Sequence, residues 1–356
     1  MLTEQDQPHR SAEATSSEMP DELSPKHLAR RLIALLIFAA LVAAAISALP
    51  GLGTLRDRFA HADPAFIVLA GLCKLASCGS NVVAFRDVFC QRLGWRFSYR
   101  LAMAEQATNV LVPTGGAGGL ALGAWALRRG GMSTEHIARR SVAFFVITSI
   151  PNFLCVVILG PLLATHVLSG RAPLWPTVAF TVLAVGSIAV AAALPFVLGR
   201  VRPREQDTGL RRKVRAGLAS LADGIRDTGS LLWTGRWRAI VGSIGYLAFD
   251  IMAFAAAFAA FGVTPPFGPL VFGYVVGQLG GLIPLPGGVG GTDGGLIGAM
   301  VLYGASLSHA AAAVVIYRTF QLGIPAILGA IAFVQLRRTL RDSHEPSKLC
   351  GALAEQ

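Results

Sequence analysis

Charged side chains are rare inside the apolar stretches of this chain, and two of them have the chemistry of a binding site. Between residues 239 and 335 the only formally charged residues are Asp250, Asp293 and Arg318. An arginine can hold a phosphate through its planar fork, and a carboxylate can receive a cationic group or orient that arginine. We therefore predict that Asp293 and Arg318 bind substrate. A plain ion pair that ties two segments together is the alternative, and the two roles are compatible.

Two breaks rich in glycine and proline, at residues 113–119 and 284–291, interrupt apolar segments. Unwound backbone there could present N–H groups to an anion, or the glycines could simply allow close helix packing. Polar residues nearby could line a wet cavity or satisfy the broken backbone. The predicted binding residues are Gln278, Gly287, Gly288, Gly290 and Tyr317 around the second break, and Gln106, Asn109 and Thr114 around the first.

Catalytic and metal-binding patterns are missing from the sequence. It contains no GxSxG or HExxH motif, its seven histidines are scattered, and its five cysteines form no CxxC pair. The glycine runs follow no strand, which excludes a dinucleotide fingerprint. We therefore predict no enzyme activity, no metal and no cofactor. Lys74 and Asp250, each isolated in an apolar segment, are interpreted as structural.

The elements that must position these residues have the character of membrane helices. Hydrophobic residues make up 53% of the 356 residues and charged residues only 14%, against roughly 25% in soluble domains. Segments 32–55, 64–85, 141–170 and 172–199 carry no formal charge except Lys74 and can each cross a ~30 Å core. The stretch 239–335 must cross more than once. We predict an all-α, polytopic membrane helix bundle.

Charge also divides the chain and sets its orientation. The predicted regions are a disordered cytoplasmic tail at 1–31, a transmembrane domain at 32–338 and a cytoplasmic tail at 339–356. Lys and Arg concentrate in four segments that are predicted to face the cytoplasm of a bacterial inner membrane, namely 86–100, 128–140, 200–238 and 337–348. Apolar residues at helical spacing within 200–238 predict either an amphipathic helix on the inner leaflet or a solvated basic loop.

A shift of 172 positions superposes the two breaks. Equivalent residues then coincide, namely Gln106 with Gln278, Gly115-Gly116 with Gly287-Gly288, and Gly123 with Gly295. The arms beside each break are short for a crossing, which favours hairpins that enter and leave by one side. Loop charge places the first hairpin between inside loops and the second between outside loops. The sequence thus predicts two re-entrant hairpins in an inverted repeat, as in many secondary transporters.

The second break belongs to a longer signature, which reads Ile283-Pro284-Leu285-Pro286-Gly287-Gly288-Val289-Gly290, then Asp293, Tyr303-Gly304 and Tyr317-Arg318. It resembles the flippase-like transmembrane domain of lysylphosphatidylglycerol synthases and their stand-alone relatives, in which Asp293 is usually Glu. The first half departs from those relatives, which often carry charged residues where this chain reads Leu120-Ala121-Leu122-Gly123. No aminoacyl-transferase domain follows, so the resemblance implies a lipid translocase or lipid-binding protein and not a synthase.

The leading hypothesis is a membrane protein that binds and flips a phospholipid or other lipid between leaflets. Its partners would be membrane lipids, anionic or, by the resemblance, aminoacylated. One alternative is a non-transporting partner or regulator of an envelope-lipid synthase or glycosyltransferase, acting through the basic inner loops. Another is a small-solute transporter, which would need ion coupling. The net charge of +11 is assigned to anionic lipid headgroups and not to nucleic acid.

Overall fold

A computed structural model of the chain describes residues 59–89, 94–112, 117–170, 172–198, 209–233, 236–282 and 288–342, together with residues 30 and 33. These residues form helices and turns and include no strand, which confirms the all-α prediction. The helices are α1 (Pro64–Phe89), α2 (Trp95–Leu111), α3 (Ala117–Arg129), α4 (Thr134–Ala164), α5 (Leu174–Leu198), α6 (Gly209–Trp233), α7 (Trp237–Ala259), α8 (Phe267–Gln278), α9 (Gly291–Leu302) and α10 (Leu307–Asp342). A 3-10 turn, Leu279–Leu282, follows α8.

Five of these helices, α1, α4, α5, α7 and α10, are long and apolar enough to cross a membrane. Their outward side chains suit a bilayer. On α5, for example, Val182, Leu183 and Phe196 are 64%, 58% and 82% exposed. Such a large apolar surface is unfavourable in water and favourable among lipid tails. The multi-pass prediction is confirmed, while the span predicted at 32–55 lies outside the described residues.

Helices α1 and α7 pack along their whole length and run antiparallel. The Asp63 amide before α1 donates to the Ala260 carbonyl after α7 over 2.8 Å. At the opposite end, the Asp87 carboxylate of α1 accepts the Ala239 amide of α7 over 3.0 Å. Gly242 lets the two backbones meet, because a Cβ there would lie 2.7 Å from a backbone nitrogen of α1. Small residues of this kind allow membrane helices to pack at short range.

Helix α4 contains prolines, and a side chain of α7 compensates for one of them. Pro151 has no N–H to give to the Ile147 carbonyl one turn earlier. The buried Ser243 hydroxyl of α7 donates to that carbonyl over 2.7 Å. An unsatisfied carbonyl would be costly in a bilayer, so this bond both stabilises α4 and ties it to α7.

The short helices pair as α2 with α3 and α8 with α9, and the first arm of each pair also packs on a distant spanning helix. Arg100 of α2 donates to Gln335 and Thr339 of α10 over 3.2 and 2.7 Å. On α8, a Cβ at Gly268 would lie 2.9 Å from the side chain of Leu163 in α4. Each short pair is therefore held by a spanning helix from the other half of the chain.

The basic segment 200–238 contains α6, which lies against α4 and α5. The Arg139 guanidinium of α4 pairs with Asp227 at 2.8 Å, and Arg226 donates to the Pro195 carbonyl of α5 over 2.8 Å. A helix, and not a solvated loop, is therefore what residues 209–233 form. Its position on the inner leaflet stays a prediction.

Candidate functional site

The second break lies between two arms that touch backbone to backbone. A Cβ at Gly295 of α9 would collide with the Gly277 carbonyl oxygen of α8. One at Gly280 would collide with the Gly291 carbonyl oxygen. Glycine is therefore required sterically at these positions, as expected where two backbones approach closely.

The end of the break is a left-handed turn that leads into α9. Gly288 and Gly290 have φ values of +65° and +86°, a region that glycine adopts without steric cost. A Cβ at position 288 would lie 3.7 Å from Nη2 of Arg318, so the guanidinium lies beside this turn. Gly287, the other glycine predicted to bind substrate here, falls in 283–287, outside the described residues.

Asp293 and Arg318 are paired in the structure. Nε of Arg318 donates to Oδ1 of Asp293 over 2.6 Å, and Nη1 donates to Oε1 of Gln321 over 2.6 Å. The second oxygen of Asp293 accepts the Gly290 amide over 2.8 Å. The carboxylate thus occupies a place at a helix N-terminus that an anion would favour. The Arg318 side chain is 9% exposed and that of Asp293 27%, so the pair lies at the edge of the protein interior.

Gln278 and Tyr317 lead from this hairpin to a buried network that was not predicted from the sequence. Nε2 of Gln278 donates to the Tyr317 hydroxyl over 3.3 Å. That hydroxyl lies 3.1 Å from Oδ2 of Asp250 and 2.8 Å from the Tyr274 hydroxyl oxygen. Its single proton can form a hydrogen bond to either of these two oxygens. Tyr274 donates to the same Asp250 oxygen over 2.8 Å. The other oxygen accepts Nζ of Lys74 over 2.5 Å.

The Lys74–Asp250 pair is almost fully enclosed, with the two residues 2% and 3% exposed. A buried ion pair is tolerated when further hydrogen bonds satisfy its members, and here the carboxylate receives an ammonium and the tyrosine donors. The interpretation of both residues as structural fits this geometry, but their pairing was missed. A signal existed, since the shift of 172 maps Asp250 onto Cys78, one helical turn from Lys74.

The first hairpin carries polar side chains where the second has glycine. Under the shift of 172, Glu105 corresponds to Gly277. Oδ1 of Asn109 accepts the Gly119 amide over 2.8 Å, which joins α2 to α3. Oε1 of Glu105 fills the space that a Cβ at Gly123 would need. Within the described ranges this half-buried carboxylate has neither a hydrogen-bond nor an ion-pair partner, which is costly among apolar side chains and marks it as a functional candidate.

Gln106 connects the first hairpin to the same central helices. Its Nε2 donates to Oδ1 of Asn81 over 3.0 Å, and its Oε1 accepts the Cys78 thiol over 3.7 Å. The equivalent glutamines of the two hairpins therefore both reach the α1–α7 pair, one directly and one through Tyr317. Asn109 instead bonds within its own hairpin, and Thr114 lies outside the described residues.

The arrangement offers side-chain chemistry for ions of either sign. Arg318 beside a helix N-terminus offers anion-binding chemistry, while Asp293 and Glu105 offer carboxylates. In the part of the chain that the structure describes, no three His, Cys, Asp or Glu side chains are grouped as metal ligands.

Comparison with known proteins gives two findings. A family model described as the lysylphosphatidylglycerol synthase TM region matches residues 31–329. A protein of Methanothermobacter thermautotrophicus, described as a UPF0104 membrane protein, is 37% identical to the chain over 93 residues. That second match covers 26% of this chain and 26% of the relative.

Proposed function

This chain belongs to the lysylphosphatidylglycerol synthase transmembrane region family, and on that premise we propose that it binds a phospholipid headgroup and moves the lipid between leaflets of a bacterial inner membrane. The protein is proposed to work without a chemical step and to bind headgroups between two half-domains of opposite orientation. Both termini are proposed to be cytoplasmic, because the basic segments favour that side.

The order of the helices supports two related halves. Adding 172 to the bounds of α1, α2, α3 and α4 gives 236–261, 267–283, 289–301 and 306–336. These ranges coincide with α7, with α8 plus its 3-10 turn, with α9 and with α10. Each half would thus consist of a spanning helix, a broken hairpin and a second spanning helix, with α5 and α6 between the halves.

The packing supports opposite orientation of these halves. The equivalent helices α1 and α7 run antiparallel, and each hairpin's first arm contacts the last spanning helix of the other half. Such cross-contacts are what a two-fold axis in the membrane plane would generate, and transporters of this kind place their substrate at the interface of the repeats.

Cysteine accessibility tests the proposed depth of the second hairpin. In a chain whose five native cysteines are replaced by alanine, Val289→Cys is expected to react slowly with a membrane-impermeant maleimide from either side of a vesicle. Ser306→Cys, in the turn between α9 and α10, is the matched position and is expected to react fast from one side. Equal fast labelling of both would place the break in an ordinary loop and refute the re-entrant arrangement.

The observation that carries the proposed function is the Asp293–Arg318 pair beside the left-handed turn. Asp293 binds both the Arg318 guanidinium and the Gly290 amide, which are the two kinds of donor that a phosphate would use. The phosphate of an incoming lipid could replace Asp293 as the acceptor of these two hydrogen bonds. The freed carboxylate could then bind a cationic group of the lipid headgroup. The pair would act as a latch that opens only when a headgroup replaces Asp293.

Reconstitution tests this directly. Vesicles with a headgroup-labelled phospholipid are treated with dithionite, which reaches only the outer leaflet, and the protected fraction is followed with time. We expect Arg318→Gln to slow translocation by about 10-fold to 100-fold, the effect of losing one charge-assisted hydrogen bond of about 1.5–3 kcal/mol. Arg139→Gln, which removes the half-exposed partner of Asp227, is the control and should leave the rate unchanged. Identical traces with and without protein, across several lipids, would refute translocation.

A second candidate, a regulator of an envelope-lipid synthase or glycosyltransferase, draws on α6. This basic helix is anchored to α4 and α5, so it could present a fixed charged surface to a partner on the cytoplasmic side. The two candidates predict opposite results. Neutralising Arg211, Arg212 and Lys213 would abolish a regulatory role and spare translocation, whereas Arg318→Ala would do the reverse.

A further inference from the structure

A groove between the start of α2 and the last turns of α10 has a composition that the proposed translocation site does not explain. It is an open depression of about 380 Å³ and is lined by Trp95, Arg96, Tyr99, Arg100 and Gln335. The two walls come from the basic start of α2 and from α10 just before its basic end, more than 200 residues apart in the chain. The fold has thus brought separate cationic segments to one place.

The charge of the groove is available to a ligand. Arg96 is exposed and forms no hydrogen bond within the described ranges. Arg100 donates to Gln335 and Thr339, which are both neutral, so these bonds orient its guanidinium without cancelling its charge. Arg96 and Arg100 are one helical turn apart and line the same wall of the groove. Two guanidinium groups placed in this way are suited to a bidentate contact with a phosphate.

The N-terminus of α2 adds to the positive electrostatic potential of the groove. Gly94, the N-cap of the 17-residue helix α2, has no side chain to accept hydrogen bonds from the first turn. The amides of that turn and the positive end of the helix dipole therefore favour an anion beside Arg96 and Arg100.

Aromatic side chains place the groove at a bilayer surface. Trp95 and Tyr99 are 52% and 41% exposed, and rings of this type concentrate at the level of lipid headgroups. The Arg86 guanidinium, in the last turn of the spanning helix α1, lies 4.3 Å from the centre of the Trp95 ring. The groove is thus bounded by the ends of two spanning helices, α1 and α10, where the phosphates of a leaflet would lie.

We propose that this groove binds the phosphate of an anionic phospholipid from the adjacent leaflet. It is separate from the latch, since Arg318 and Gln335 are 17 positions apart on α10, about 25 Å along a helix. The inference deepens the proposed function by adding a loading site, but lipid binding at the groove does not require translocation. Because Arg100 also clamps α2 to α10, a phosphate that draws Arg100 away would loosen the first hairpin.

Tryptophan quenching by brominated lipids tests the site. In a chain that retains only Trp95, with Trp125, Trp175, Trp233 and Trp237 replaced by Phe, fluorescence is measured in phosphatidylcholine bilayers containing a minor fraction of brominated lipid. We expect brominated phosphatidylglycerol to quench Trp95 more strongly than brominated phosphatidylcholine. Arg96→Gln should reduce the preference by about fivefold, the effect of one interfacial arginine.

The controls separate this site from other causes. Arg238→Gln removes an exposed arginine from the start of α7 and should leave the preference unchanged. Equal quenching by the two lipids, or an equal loss in Arg238→Gln, would overturn the site. Because Arg100→Gln could also loosen the fold, Arg96→Gln is the deciding variant.

Two further measurements identify the ligand. Titration of inorganic phosphate into detergent-solubilised protein should give no binding heat, and heat that depends on Arg96 would reassign the groove to a soluble anion. The dithionite assay on the same chain reports translocation separately. If the lipid preference is retained without translocation, the proposed function is refuted and phospholipid binding at the groove is still supported.

Discussion

Replacement of Asp250 by Asn is expected to destabilise the protein far more than its small change in shape suggests. The substitution leaves the Lys74 ammonium, 2% exposed, without its counter-charge, and it weakens the bonds from Tyr274 and Tyr317. Breaking a buried ion pair by removing one partner costs about 3–5 kcal/mol.

The reverse substitution should be milder. Lys74→Met leaves the carboxylate with the hydroxyls of Tyr274 and Tyr317 as hydrogen-bond donors, so that its charge stays partly compensated. We therefore expect Lys74→Met to cost about 2–4 kcal/mol, less than Asp250→Asn. The double variant should be more stable than Asp250→Asn alone, because it removes the buried unpaired charge.

The measurement is reversible unfolding of the four proteins of this cycle in mixed detergent micelles. The matched control is Asp227→Asn, which breaks the ion pair with Arg139. The side chains of Arg139 and Asp227 are 36% and 19% exposed. A pair this exposed contributes about 0–1 kcal/mol. The reasoning fails if Asp250→Asn costs no more than Asp227→Asn, or if the two substitutions of the buried pair are simply additive.

Two further substitutions or modifications test the hairpins. Gly295→Ala is expected to cost about 1–3 kcal/mol, since its methyl group would meet the Gly277 backbone, whereas Gly294→Ala has open space and should be neutral or stabilising by up to about 1 kcal/mol. Equal unfolding free energies would contradict the backbone contact. Glu105 should be modified by dicyclohexylcarbodiimide, which attacks protonated carboxyls in apolar surroundings, because desolvation of an unpaired, half-buried carboxylate favours its protonated form. Peptide mass spectrometry should find little reaction at the exposed Glu135, and the reverse order would place Glu105 in water.

The spans and the Asp293–Arg318 pair could be predicted because their signals are local. A spanning helix is a run of about 20 apolar residues, which composition alone reveals. Asp293 and Arg318 are separated by one short helix and one turn, so two charges in an otherwise apolar stretch had few other partners. For α6, apolar spacing among the arginines indicated a helix but left a solvated loop as an equal alternative, because spacing alone does not show what the apolar face packs against.

The buried network could not be predicted in the same way, because it depends on which helices become neighbours. Lys74 and Asp250 are 176 positions apart, and Tyr274 and Tyr317 belong to two further helices. Nothing in the local sequence of α1 distinguishes a lysine with a buried partner from one that reaches the membrane surface. The predicted repeat, applied to the spanning helices as well as to the breaks, relates α1 to α7, but it does not by itself make them neighbours.

The contact between α1 and α7 also shows a chemical difference between the two proposed halves. At equivalent positions across this contact, Lys74 corresponds to Tyr246 and Asp250 to Cys78, so the ammonium and the carboxylate have no matching counterparts. A seam between identical halves would carry the same charges on both sides, and conformations that exchange the roles of the halves would have equal energy. Here one half supplies the cation and the other the anion. In the proposed translocation, the two end states of a rocking motion about this seam would therefore not be related by symmetry.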